Sequence, residues 1–157
     1  PPDDLEGGHI VFTGPNGMAL PTAGNFLPLL ATPARTNDQR LVAASQDGEV
    51  IFLQHATVLT DIVLPGQTIA SPAVSLNHVY VSTASSLRSF NSLTMTEVGR
   101  YDWSHGGLSA PAIGPSGAVY ALAGSTLYIW PAPPKRPCFL CGAPIPPIHL
   151  SAKLPAL

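Results

Sequence analysis

At 157 residues the chain is long enough to bury a core, and its 45% apolar content excludes disordered and collagen-like classes. Only 10% of residues are charged, the net charge is −2, and no Lys/Arg-rich patch occurs. This argues against a nucleic-acid ligand and for a surface partly covered by other proteins.

The charges are unevenly placed. Asp3, Asp4 and Glu6 crowd the N-terminus, no acidic residue follows Asp102, and beyond it the only charges are Lys135, Arg136 and Lys153. No apolar run reaches the roughly 18–20 residues of a membrane helix. The chain opens on Pro1 without a charged-then-apolar leader, as expected of a processed or truncated product.

Taken in chain order, short strands alternate with turn signals and no helical period persists. Ile10-Val11-Phe12 and Met18-Ala19-Leu20 flank Gly14-Pro15-Asn16-Gly17, a tight-turn composition. Leu41 to Ala44 and Val50 to Leu53 flank Gln46-Asp47-Gly48 in the same manner. Val79-Tyr80-Val81 and Leu87 to Phe90 flank a Ser/Thr/Ala turn, and Val119 to Leu122 and Leu127 to Trp130 flank Gly124-Ser125. Further strands, Val58 to Leu64 and Val98 to Trp103, complete four-stranded sheets.

These hairpins recur with a period near 40. Thr32-Pro33-Ala34, Ser71-Pro72-Ala73 and Ala110-Pro111-Ala112 are spaced by 39 residues, while Val79/Val119, Leu87/Leu127 and Phe90/Trp130 are spaced by 40. Leu41 precedes Val79 by 38 and Val50 precedes Leu87 by 37, so loops vary around a constant strand core. Proline cannot donate to a ladder, which suits it to the head of a strand. Alternation along Val79–Thr83 gives each strand two faces to bury, and a single sheet cannot cover both of its own, so neighbours must stack on it. The class implied is all-β: antiparallel four-stranded blades of a β-propeller, about 3.5 of them. A closed ring needs more, so the chain is an incomplete propeller or one completed by another chain.

The segments "SPAV…HVYVSTASSLRSFN" and "EVGRYDW…LSAPAIGPSGAVYALAGSTLYIW" resemble the repeats of quinoprotein-type (PQQ-like) β-propellers. Gly99 and Trp103 are similar to the family's Gly…Trp element, and Pro111-Ala112-Ile113-Gly114 with Gly117-Ala118-Val119-Tyr120 to the centre of its repeat. The resemblance spans about residues 9–130 and implies the fold, not a chemistry. Enzymatic members bind a quinone and calcium through several blades. No adjacent-cysteine pair and no Asp/Glu/Asn set of this chain maps onto such a site.

After Trp130 the composition changes. Pro131-Ala132-Pro133-Pro134-Lys135-Arg136-Pro137 is constrained to be extended, and Pro144-Ile145-Pro146-Pro147-Ile148 repeats that character. The expected organisation is an N-terminal extension (1–8), propeller blades (9–130) and a Pro-rich C-terminal arm (131–157) lying along another surface. Its expected contact residues are Lys135, Arg136, Pro137, Phe139, Leu140, Ile145 and Ile148.

Chemistry-bearing patterns are sparse. Cys138-x-x-Cys141 followed by Gly142 supplies half of a tetrahedral zinc site, without a second Cys/His pair. Free thiols, a disulfide, a metal shared with another chain and a redox pair all stay open; these two cysteines are the only metal candidates. Asp102, Ser104 and His105 do not form a triad, because neighbours on a strand point to opposite faces. His9, His55, His78, His105 and His149 lack ligand spacing, and Trp103 and Trp130 read as packing residues between blades. The expectation is a non-enzymatic scaffold or interaction subunit of a larger assembly, without catalytic residues or cofactor, in the periplasm or another extracytoplasmic space. The alternatives are a fragment or subunit of a quinoprotein-like oxidoreductase and a small-ligand-binding propeller.

Overall fold

The computed structural model describes residues 8–10, 23–26, 29, 31–55, 57–68, 70–103, 106, 109–131 and 148–150. Two short strands, β1 (Gly8–Ile10) and β2 (Ala23–Phe26), pair antiparallel. The hairpin expected between Ile10–Phe12 and Met18–Leu20 falls mostly outside the described residues; the strand that β1 pairs with lies further along, at β2.

Three antiparallel sheets of four strands follow in succession. The first is β3 (Ala34–Arg35), β4 (Leu41–Ala44), β5 (Glu49–Gln54) and β6 (Thr57–Val63). The second is β7 (Ala73–Ser75), β8 (His78–Ser82), β9 (Ser86–Asn91) and β10 (Glu97–Asp102). The third is β11 (Ala112–Ile113), β12 (Val119–Ala123), β13 (Thr126–Trp130) and β14 (Ile148–Leu150). Strands pair in chain order, so each sheet is a meander. Pro33, Pro72 and Pro111 stand immediately before β3, β7 and β11, where a missing N–H interrupts no ladder. The first strands approach one another, β3 beside β7 and β7 beside β11, so the sheets radiate from a line along their first strands. This is the blade arrangement of a propeller.

The third sheet ends differently from the other two. Its fourth strand is Ile148–Leu150, inside the segment that sequence reading assigned to the arm, and it pairs with β13 through Ile129↔Ile148 and Leu127↔Leu150. An edge strand tolerates the preceding Pro146-Pro147 because it needs donors on only one side.

Turn geometry explains the register of the middle hairpins. In the β4–β5 turn Ser45 N–H donates to Glu49 O (2.8 Å) and Gly48 takes φ +93°. Only glycine fits there: a Cβ would run into the carbonyl oxygens of Leu64 and Gly66. The β11–β12 turn closes similarly, with Gly114 N–H to Ala118 O (2.9 Å) and Gly117 at φ +87°.

Residues paired across strands share a face, so the apolar clusters separate by face. Val42, Ala44, Val50 and Phe52 of the first sheet, with Leu64, pack against Val79, Val81 and Phe90 of the second. Phe52 and Phe90 meet edge-on, with ring centroids 6.2 Å apart. The other face of the first sheet, Ala43, Ile51 and Leu53, is buried with Leu41 and Leu29. The second face of the second sheet, Tyr80, Leu87 and Tyr101, with Trp103 following β10, packs against Val119, Ala121, Ala123 and Tyr128 of the third. Each seam is therefore built from two alternating strand faces, and no sheet could exist alone in water.

Candidate interaction surfaces

Polar fasteners hold neighbouring sheets in register. Arg40, in the β3–β4 loop, donates from Nη1 to Ser92 O (2.7 Å) and Leu93 O (2.9 Å) of the second sheet. Asp38 lies 3.0 Å from Arg40 Nε, close enough to pair in charge but not aligned as a hydrogen bond. In the same loop Asn37 Nδ2 donates to Leu76 O (3.1 Å), and below it Thr32 N–H donates to Ser71 Oγ (3.1 Å). Both links join residues 39 apart, one repeat length.

Arg88, unlike the half-buried Arg40, is a fully buried cation. It lies on the face of β9 that meets the first sheet, opposite Val81, and is 5% exposed. Nη1 bonds Glu97 Oε2 at 2.9 Å and Nε donates to Ser86 Oγ at 3.2 Å, while Nη2 is buried without a hydrogen-bond partner among the described residues. Arg100 and Asp102 pair nearer the surface at 2.6 Å, and this hydrogen bond followed by the carboxylate's charge pushes the Arg100 guanidinium pKa up.

The seam between the second and third sheets is aromatic. Tyr101 lies 5.4 Å from Tyr128 and 5.5 Å from Trp130, and Trp103 lies 6.0 Å from Tyr128 (ring centroids). Trp103 is pinned twice, its backbone N–H to Ser85 O (3.0 Å) and its indole N–H to Ala84 O (3.1 Å). Burial pushes the Tyr101 phenol upward, with Tyr128 adding to it, and burial alone raises Tyr80. Trp103 and Trp130 are thus packing residues between blades, as the sequence reading has them.

The two ends of the stack are apolar and open to solvent in different ways. On the third sheet the face turned away from the second carries Tyr120 and Leu122 on β12 and Leu127 and Ile129 on β13. None of these belongs to an apolar cluster of the described residues, and Leu122 is 49% exposed. At the opposite end β6 exposes Val58 (39%), Leu59 (38%) and Val63 (75%). Register places Val58 and Val63 on the face of Leu53 and Glu49, where the inner residues Ala43, Ile51 and Leu53 are covered. The same face carries Glu49 and Asp61. Desolvation, then the charge of Asp61, holds the Glu49 carboxyl above its ordinary value.

Of the expected contact residues, Ile148 opens β14, while Lys135, Arg136, Pro137, Phe139, Leu140 and Ile145 lie outside the described residues, as do Cys138 and Cys141. Asp102 closes β10 and pairs with Arg100, whereas Ser104 and His105 are outside. His78 stacks on Tyr80 at 6.2 Å, and His55 turns the β5–β6 corner at φ +49°. No group of three or more metal-ligating side chains occurs among the described residues. No helix among them is long and apolar enough to cross a membrane.

Arg40 and Arg88 were not singled out by sequence reasoning, since a lone Arg in a loop or strand carries no pattern. The open face of the third sheet was not singled out either, although the 40-residue register, which sets Ser82 against Leu122 and Ser89 against Ile129, carries a signal for it.

The fold and the seams define a β-propeller protein, represented here by three stacked blades. Comparison with solved structures agrees. The chain superposes on BamB from Moraxella catarrhalis with a TM-score of 0.64 at 12% identity, over 73% of this chain and 38% of that one. It matches hydrazine synthase of Kuenenia stuttgartiensis with a TM-score of 0.64 at 14% identity, over 77% and 38%. It matches a chain of the mitotic checkpoint complex with a TM-score of 0.62 at 16% identity, over 73% and 39%. The chain therefore spans less than two-fifths of the length of each of these propellers, and at such identities the likeness concerns the fold alone. No family model and no curated protein sequence matches the chain.

Proposed function

We propose that the chain is a non-enzymatic scaffold or interaction subunit that binds other proteins through its blade surfaces and its Pro-rich arm. The observation that carries this reading is the pair of exposed apolar ends, Leu122 at one and Val63 at the other, on a stack whose internal seams are fully packed. Apolar sheet faces left in water are unfavourable by roughly 25 cal/mol per Å² and mark sites of association. The low charged fraction points the same way. One structural neighbour is named as part of a complex, which suits the reading without assigning a partner. We assign the chain to the PQQ-like repeat group on its motifs and to the periplasm or another extracytoplasmic space.

The test uses a feature of the sequence: both lysines, Lys135 and Lys153, lie in the arm. Native mass spectrometry of the particle from its source, followed by lysine-directed cross-linking, is expected to show other polypeptides and cross-links from these two positions. A lone 16.3 kDa species would overturn the proposal. A quinone chromophore or a stoichiometric metal in the same preparation would favour a quinoprotein-like oxidoreductase instead.

A further inference from the structure

The three sheets repeat one plan, so a position on the third can be compared with counterparts whose surroundings are known. Offsets of 38 and 40 residues align Ala44, Ser82 and Leu122 on the second strands β4, β8 and β12. Ala44 and Ser82 lie on the face that meets the following sheet, and both are 0% exposed; Leu122 is 49% exposed. Outer strands do not supply this contrast, because Val98 on β10 is 53% exposed in a sheet covered on both faces. Among the described residues, Leu122 is the one exposed large apolar side chain on an inner strand. Its backbone is fixed there: Ser109 Oγ donates to Leu122 O and accepts from Leu122 N–H, both at 2.9 Å. Tyr120, two residues earlier on the same face, rests its ring against Gly114, where a Cβ would meet the ring at 2.9 Å. The face is preformed.

The internal seams show what such a face meets. In both, it packs on the opposite-parity face of the next sheet. In the second seam the face with Ser82 and Ser89 meets the one with Tyr128 and Trp130, so small side chains stand across from large rings, as close packing requires. At the positions of Ser82 and Ser89 the third sheet has Leu122 and Ile129. A face built for water would carry polar groups there. This one carries larger aliphatic groups, so its cover needs aliphatic side chains where the third sheet has Tyr128 and Trp130. One face of the stack has that set: Leu41, Ala43, Ile51 and Leu53 of the first sheet, at the repeat positions of Val119, Ala121, Tyr128 and Trp130. It is already occupied. Ile51 and Leu53 are fully buried, Leu29 packs on them, and β2 lies beside β6. Among the described residues a second copy therefore has no such face to offer. Its own third-sheet face would set large side chains against large ones.

We infer that the open face of the third sheet is a blade-accepting seam, and that its occupant is a four-stranded sheet of a partner protein presenting Leu, Ile, Val and Ala in β-alternation. The inference rests on the interaction-subunit reading and names the form and side-chain chemistry of its partner. Continuity with the two existing seams carries it, since the new contact repeats them at the same strand positions. Propellers usually hold about four to eight blades. The chain spans less than two-fifths of each propeller chain on which it superposes, so a further blade extends the stack in the direction in which it already grows.

The experiment places the photo-cross-linker p-benzoylphenylalanine at position 122 of the full chain and irradiates the particle formed in its source. The linked peptide is expected to come from another polypeptide, to alternate aliphatic and polar residues, and to lie in a repeat of about 40 residues. In the unmodified particle, hydroxyl-radical labelling of Leu122 should fall toward that of the buried Leu87, relative to the purified chain, while labelling of Val98 stays the same. Leu122→Lys should lower recovery of the linked partner by about tenfold or more, the scale of a central interface residue. Val98→Lys, on an outer strand, should retain it. Both side chains are exposed, so far-UV circular dichroism and melting should be preserved in each variant. A linked peptide from a second copy, from a polypeptide continuous with this chain, or from a helix overturns the inference. Unchanged labelling of Leu122 in a particle that holds other polypeptides overturns it while leaving the interaction-subunit reading intact. A lone 16.3 kDa species overturns both.

Discussion

The Arg88–Glu97 pair makes an asymmetric prediction. Arg88 sits at 5% exposure between the first and second sheets, whereas the Glu97 side chain is 34% exposed. Glu97→Gln leaves the guanidinium in place and removes its counter-charge. The cation then keeps only neutral acceptors, Ser86 Oγ and the amide oxygen of the new Gln, beside an Nη2 that already has no partner among the described residues. Breaking a buried pair from one side costs about 3–5 kcal/mol, and the exposure of Glu97 lowers that to ~2–3 kcal/mol. In a chain of this length the loss corresponds to a melting temperature lower by roughly 5–10 °C. Arg88→Met removes the buried charge and its unpartnered Nη2 together and sets an unbranched apolar side chain beside Val81 and Phe90. The freed Glu97 turns to solvent, and the net change should lie within about 1 kcal/mol. Urea denaturation of both variants and of the double variant measures the two costs and their coupling. If Arg88→Met proves costlier than Glu97→Gln, the pair is a net source of stability and the desolvation argument is wrong.

Three further outcomes are expected. Gly48→Ala should cost above about 3 kcal/mol, since its φ of +93° is compounded by contact with two carbonyl oxygens; Gly66→Ala, at the same φ but with only ordinary van der Waals contacts to Ser85 and Thr83, should cost only about 1 kcal/mol by thermal melting. Arg40→Ala removes two charge-assisted bonds to Ser92 O and Leu93 O, and should lose about 2 kcal/mol and speed amide exchange in the β9–β10 turn. The folded pKa of Glu49 lies above its unfolded value, so the folded state binds more protons in that window and stability falls as pH rises through it. Glu49→Gln should flatten that fall and raise neutral-pH stability by less than about 1 kcal/mol, whereas an unchanged pH profile would refute the assigned cause.

Much of the blade plan is local and could be read directly. The prolines at 33, 72 and 111, the Gly48 and Gly117 turns and the alternation along β8 and β12 each constrain only a few neighbouring residues, and each sits where the spacing placed it. Trp103 and Trp130 were recognisable as seam residues because large rings at a repeat's end have nowhere else to be buried. The boundary of the arm was not legible in the same way. Ile148–Leu150 pairs with β13 although seventeen residues separate the two strands, and proline-rich composition says nothing of where the chain returns.

Sequence alone determined the class of fold, the repeat length and the two faces of each strand, because backbone period and turn chemistry act over a few bonds. Only tertiary structure decided which face meets which neighbour. It alone showed that Arg88 is buried with no partner for Nη2 among the described residues, that Arg40 spans to the next sheet, and that Leu122 and Val63 are exposed. Those properties depend on solvent exclusion by residues one repeat or more away, and exclusion from water is a property of the packed stack, not of any segment within it.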